Sequence, residues 1–256
     1  MELLVADVIE AFYKLLWPMV RVSAFLIAVP LFSLQAVSLP IRILLALVLT
    51  LMIYPLTDWP LIDPLSAAGL KELFTQIFIG IVMGLILQVV NAALVVSGQA
   101  ISASMGLSMA NMVDPTMGNV PVIAQFLLIC STLIFLGLGG HVLVISLLLE
   151  SFNLVPIGAL VALSGLFDLV IKWSAMIFLG GVLLAMPILV TLLFINIGLG
   201  VITRAAPALN IFAVGFPAMI LAGILLLSMA MPVIGFRIQW LWQRSFDILG
   251  QLLAVI

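Results

Sequence analysis

The sequence predicts an all-α, membrane-associated protein built of long helices and helical hairpins. Of its 256 residues, 66% are hydrophobic and 7% are charged. The mean hydropathy is +1.48, beyond that of an ordinary soluble domain. The apolar residues gather into about six runs, several at or above the ~20 residues that a helix needs to cross a ~30 Å hydrocarbon core. A third observation sets the centre apart. Between Glu72 and Glu150 the only charged side chain is Asp114. It lies in the stretch Ser97–Val122, which is rich in Ser, Gly, Ala, Asn and Met. Pro115 and Pro121 fall in its second half.

Residues 1–14 form an amphipathic start, with Leu3, Leu4, Val8, Ile9 and Phe12 among Glu2, Asp7, Glu10 and Lys14. The first residues are acidic and lack a basic n-region or cleavage pattern, so this start reads as mature chain. The first apolar run covers about 15–35 and carries Arg21. A turn-like SLQAVSLP follows, and a second run covers about 41–57. The proline-broken loop from Asp58 to Pro64 holds Trp59 where an interfacial ring is expected. The third run covers about 73–97 and leads into the central stretch. The fourth covers about 122–149, and SFNLVPIG is a loop. The fifth, about 169–203, contains Pro187. As one helix it would be roughly 50 Å long, so it either breaks near Pro187 or packs against protein outside the lipid. Arg204 to Pro207 reads as a hairpin turn into the sixth run, about 208–236, and the tail from Arg237 is amphipathic again.

The central stretch is poor material for a lipid-facing helix. A carboxylate at bilayer depth costs roughly 2.5–3.5 kcal/mol, and non-helical backbone survives there only inside protein or against water. On a helical wheel of 97–111, Met105, Met109 and Met112 share one face. Ser97, Ser104, Ser108 and Asn111 form a neighbouring stripe. Gly98, Ser102, Gly106 and Ala110 make a ridge of small residues, the geometry that lets membrane helices approach closely. Two readings stay open: a tightly packed interior helix whose methionines fill gaps, and a pore-facing segment whose methionines close around objects of varied shape. Pro115 is expected to end the helix at Asp114. Asp114 then serves the turn or caps a helix, with an ion site as the alternative.

Other chemistry is hard to build from these residues. The net charge of −2 gives no basic surface for nucleic acid. Cys130 has no intramolecular partner and reads as a buried structural thiol. His141, the single histidine, follows Gly139 and Gly140 and reads as a packing residue, so no His-rich metal site arises. No nucleophile–base constellation or nucleotide-binding loop is present, and no cofactor is expected.

Three segments resemble the FliR family of the flagellar export gate, which has counterparts in virulence type III secretion: GQAISASMGLSMANMVDP (98–115), GGHVLVISLLLESFNLVPIG (139–158) and RAAPALNIFAVGFP (204–217). WPMVRVSAFLIAVPLFS (17–33) fits its N-terminal part. Ser102-Ala103-Ser104 and Gly140 depart from the family pattern. The resemblance implies one copy of the chain assembling with FliP-like and FliQ-like subunits into a pore that unfolded exported proteins cross. An FlhB-like subunit would join on the cytoplasmic side. The location implied is the bacterial inner membrane, in a flagellar basal body or injectisome export apparatus, in contact with membrane lipid. It further implies a FliP-like part over 1–168 and a FliQ-like helical hairpin over 169–256. The segment matching Gly106 to Val122 would be a plug in the pore. With Met105, its residues are Gly106, Leu107, Ser108, Met109, Ala110, Asn111, Met112, Val113, Asp114, Pro115, Thr116, Met117, Gly118, Asn119, Val120, Pro121 and Val122. The rival from a different class is a secondary transporter with a broken-helix binding site around 106–121. It lacks paired intramembrane charges and a visible internal repeat. A membrane enzyme is a third reading, disfavoured by the missing catalytic constellation.

Overall fold

A computed structural model describes residues 2–30, 38–57, 59–107, 121–159, 163–205 and 215–255. Every regular element among them is helical. α1 is Glu2–Ala28, α2 Leu39–Ile53, and a 3₁₀ turn, Tyr54–Leu56, follows it. α3 is Ala67–Ser104, α4 Val122–Gly137, α5 Gly140–Leu154, α6 Leu163–Ser174, α7 Met176–Ala205 and α8 Phe216–Val255. Among the described residues five helical stretches are long and apolar enough to cross a membrane, or six if α4 and α5 count as one broken span.

The element boundaries follow local chemistry. Ser66 caps α3, its Oγ accepting from the Gly69 N–H at 3.0 Å. The fourth apolar run is divided because Gly139 takes the left-handed conformation, φ +69, and α5 restarts from it as N-cap. The fifth run is interrupted at Ala175, between α6 and α7, and not at Pro187, which lies inside α7. From Phe216 onward the sixth run continues into the amphipathic tail as one 40-residue helix, α8, with Pro232 inside it.

The residues cluster into two compact units, with α3 and α8 contributing to both. The first comprises 1–88, 139–174 and 244–256. Its core holds Trp17, Phe25, Ile79 and Met83, each at most 1% exposed. Here α1 and α3 pack side by side through small residues. A Cβ on Gly80 would lie 2.6 Å from the Arg21 carbonyl oxygen and 2.8 Å from the Ala24 Cβ, and one on Gly84 would run into Ala28. Gly80-x-x-x-Gly84 therefore meets Ala24-x-x-x-Ala28, the close approach that drives helix pairing where lipid removes the hydrophobic incentive. The Trp173 indole of α6 donates to the Ile86 carbonyl at 2.9 Å, and the Phe167 ring of α6 lies 5.5 Å from that of Phe78.

The second unit comprises 89–138 and 175–243. Small residues set its contacts as well. A Cβ on Gly181 would meet the Ala93 carbonyl at 3.0 Å and the Val96 side chain at 2.9 Å. A Cβ on Gly98 would collide with Ala124 of α4. The Trp242 indole of α8 donates to Ser131 Oγ of α4 at 2.8 Å, and its ring stands edge-on to Phe135 at 4.6 Å.

Candidate functional site: the ends of the central stretch

Of the central stretch, Ser97–Leu107 and Pro121–Val122 fall among the described residues. The assignments for Ser108 to Val120, Met109, Met112, Asp114 and Met117 among them, lie outside those residues. So does the assignment for Pro207.

The entry into the stretch is sharply defined. α3 stops at Ser104, well ahead of the Pro115 that was expected to end it. The cause is Gly106, whose φ is +81. The Gly106 N–H donates to the Ala103 carbonyl and the Leu107 N–H to the Ser102 carbonyl, each at 3.0 Å. That pair of bonds is a Schellman motif with glycine at C′, where a left-handed residue turns the chain off the helix axis. The prolines gave a breaking signal, but a glycine in the left-handed region broke the helix first.

Met105, just before this turn, is fully buried. It fills a gap against α8: a Cβ built on Gly223 would stand 2.5 Å from Met105 Cγ, 2.6 Å from Cε and 2.8 Å from Sδ. Two turns upstream in α8, the Phe216 ring lies 3.0 Å from where a Cβ on Gly106 would stand. The small-residue ridge is thus used for close packing at Gly98, against α4, and at Gly106, against α8. Ser102 on the ridge and Ser97 beside it are buried, and their hydroxyls have no hydrogen-bond partner among the described residues. At the far end of the stretch Pro121 is the N-cap of α4, and Val122 is 75% exposed. Arg204 is exposed in the last turn of α7, where a cation faces the negative end of the helix dipole.

His141 departs from its packing assignment. The break at Gly139 puts it in the first turn of α5 with its side chain exposed. Trp59 is 8% exposed, its indole donating to the Tyr54 carbonyl and its ring edge-on to Phe152. It packs inside the first unit. Among the described residues no group of three or more His, Cys, Asp or Glu side chains could hold a metal ion.

Sequence reasoning missed the buried polar cluster of the first unit. Arg21 is 0% exposed. Its Nε donates to Gln76 Oε1 at 2.5 Å, its Nη1 to the Ser151 carbonyl at 2.8 Å, and its Nη2 to the Val155 carbonyl at 2.8 Å. The guanidinium also stacks 4.3 Å from the Phe152 ring centre. Gln76 passes the chain of bonds on to Glu72 Oε1, which also accepts from the Gly158 N–H at 2.9 Å. Arg21 thereby supplies donors at the end of α5, to the Val155 carbonyl and, beside the Val155 N–H, to that of Ser151. The signal was present: an arginine inside an apolar run, and Glu72 and Gln76 one helical turn apart at the head of another.

A helical chain with five to six segments able to span a bilayer, packed through glycine and alanine contacts and with an arginine buried among its helices, is a polytopic membrane protein. Residues 12–245 match the family described as bacterial export proteins, family 1. The chain is 37% identical over 249 residues to the flagellar biosynthetic protein FliR of Pectobacterium carotovorum, covering 97% of this chain and 95% of that one. It is 35% identical to the FliR of Escherichia coli (strain K12), over 93% and 92% of the two chains. Against the FliR of Bacillus subtilis (strain 168) the identity is 27% over 98% of each. The chain belongs to the FliR family. It is a membrane component of flagellar protein export.

Proposed function

We propose that this chain lines and closes the pore through which unfolded flagellar proteins cross the bacterial inner membrane. In this reading one copy assembles with FliP-like and FliQ-like subunits, an FlhB-like subunit joins on the cytoplasmic side, and the whole belongs to a flagellar basal body. Residues 1–168 supply the FliP-like part and 169–256 the FliQ-like hairpin, with Arg204 and Pro207 at its turn. The observation that carries the reading is the match to an export family over residues 12–245. The composition of the central stretch supports the closing role. A conduit wide enough for a polypeptide dissipates the membrane potential unless something seals it, and 105–122 offers deformable apolar methionines with one charge among them.

Deleting Ala110 to Asn119 tests the closing role. The expected outcome is an assembled complex on native gels in cells that have become leaky to ions and small dyes. Substituting Met109 and Met112 with Ser gives a milder leak through a wetter constriction. A buried structural loop predicts failed assembly in both variants, and an assembled, tightly sealed deletion mutant would sink the proposal.

A further inference from the structure

We propose that the cavity between Trp59 and the end of α5 is a docking site for the exported polypeptide, which it takes in extended, polyproline-like conformation. The inference rests on the reading that substrates cross unfolded, and it adds a place where they are held.

The cavity has a volume of about 490 Å³, within the ~300–1,000 Å³ of sites that hold small ligands. Its two walls begin where apolar spans end. Thr57 directly follows the span Leu39–Leu56, and Val155 directly follows the bent pair that ends at Leu154. Irregular backbone is kept out of lipid-facing hydrocarbon, so the cavity opens at a level that water reaches. No charged side chain lines it, which leaves no counter-charge for a phosphate or a metal ion. The lining is made of rings. Trp59 and Phe152 meet edge to face at 5.4 Å as its floor, and Pro60 and Pro156 stand beside them. Aromatic-lined grooves of this kind take polyproline II segments. Two polar side chains complete the lining. Asn153 is exposed, and the Thr57 hydroxyl is buried with no hydrogen-bond partner among the described residues. A polyproline II backbone makes no internal hydrogen bonds, so its carbonyls can accept from both. The Thr57 hydroxyl has no bond to break, and a turn about χ1 aims it at such a carbonyl. Unfolded chains populate this conformation widely. Contacts to rings and backbone carbonyls therefore suit substrates of varied sequence.

The wall is fixed before a ligand arrives. Arg21 bonds to the carbonyls of Ser151 and Val155, which bracket Phe152 and Asn153, and it stacks on the Phe152 ring. Glu72 accepts from the Gly158 N–H just beyond Pro156. On the other wall the Trp59 indole is tied to the Tyr54 carbonyl. A preorganised site spares the cost of ordering at binding. Burying an arginine among membrane helices is expensive, and a rigid wall for this cavity is what Arg21 secures.

The test uses the complete complex in detergent and a fluorescein-labelled polyproline peptide, with a Gly-Ser peptide of equal length as control. The polyproline peptide is expected to bind saturably and more tightly than the control. Asn153→Ala and Thr57→Val should each weaken it about two- to tenfold, the worth of one hydrogen bond, in complexes that assemble normally. If the Thr57 hydroxyl were only structural, its loss would leave the affinity alone and hold or raise the thermal midpoint, because an unpaired buried group is removed. No saturable binding, or an affinity that neither variant changes, overturns the site. A photoreactive residue placed at 153, in cells exporting a flagellar protein arrested midway, then identifies the occupant. An adduct with the exported chain supports the proposal, and adducts with neighbouring subunits or lipid alone overturn it. Peptide binding is read without transport, so its failure leaves the closing role of 105–122 to the deletion experiment, and a failed deletion experiment leaves the docking site standing.

Discussion

Arg21 of α1 donates from Nη2 to the carbonyl of Val155 at 2.8 Å, across 134 residues of sequence. The same guanidinium reaches Ser151, one helical turn earlier. One side chain thus closes the C-terminus of α5 from a different helix. A cation is suited to this place, because the helix end carries partial negative charge and its last carbonyls have no intrahelical donors.

Arg21→Met is expected to destabilise the complex severely. A buried carbonyl left without a donor costs about 1–3 kcal/mol; the variant takes the Arg21 donor from the Val155 carbonyl, while that of Ser151 keeps the Val155 N–H. Arg21→Lys should rescue poorly, since a point ammonium lacks the planar fork that spans Gln76, Ser151 and Val155 at once. Thermal unfolding of the purified complex in detergent reads the effect. An unchanged midpoint for Arg21→Met would refute the role.

The glycines separate into two groups with opposite expected behaviour. Gly80→Ala and Gly84→Ala push a methyl into α1, at positions where the added Cβ has no room. Overpacking of this kind costs about 1–3 kcal/mol. Gly198→Ala in α7 meets nothing within 4 Å and should stabilise its helix by up to about 1 kcal/mol through propensity alone. Protease resistance of the three variants in membranes should rank Gly198→Ala at or above the parent and the other two below it.

Gly106→Ala should weaken the end of α3. A left-handed residue with a Cβ costs roughly 1–2 kcal/mol, and the Phe216 ring stands 3.0 Å from the new atom. The expected result is a complex that assembles with reduced yield and leaks dye. Wild-type yield and tightness would show that the left-handed turn is dispensable.

Arg204→Leu removes an exposed cation from the last turn of α7 and extends its apolar surface toward residue 207. Exposure means that the folded chain loses little. The expected defect is in incorporation into the complex and hence in secretion, scored by co-purification of partner subunits. Normal incorporation and secretion would remove Arg204 from any role in the turn.

Composition and periodicity made the helical, membrane-spanning class readable from the chain alone, because hydropathy is a property that residues carry wherever they stand. Local motifs likewise announced the special character of 97–122 and the small-residue ridge that Gly98 and Gly106 use. What the sequence could not reveal is which residues face each other across long separations. Arg21 looked like an isolated charge until the fold placed it against Gln76 and the end of α5. Gly80 and Gly84 looked like ordinary helix glycines until α1 lay against them. The helix end at Ser104 and the break at Gly139 were decided by backbone conformation, for which several glycines and prolines competed. Burial of Met105 in the notch of Gly223 was decided by α8, more than a hundred residues downstream, because a cavity exists only when two surfaces meet.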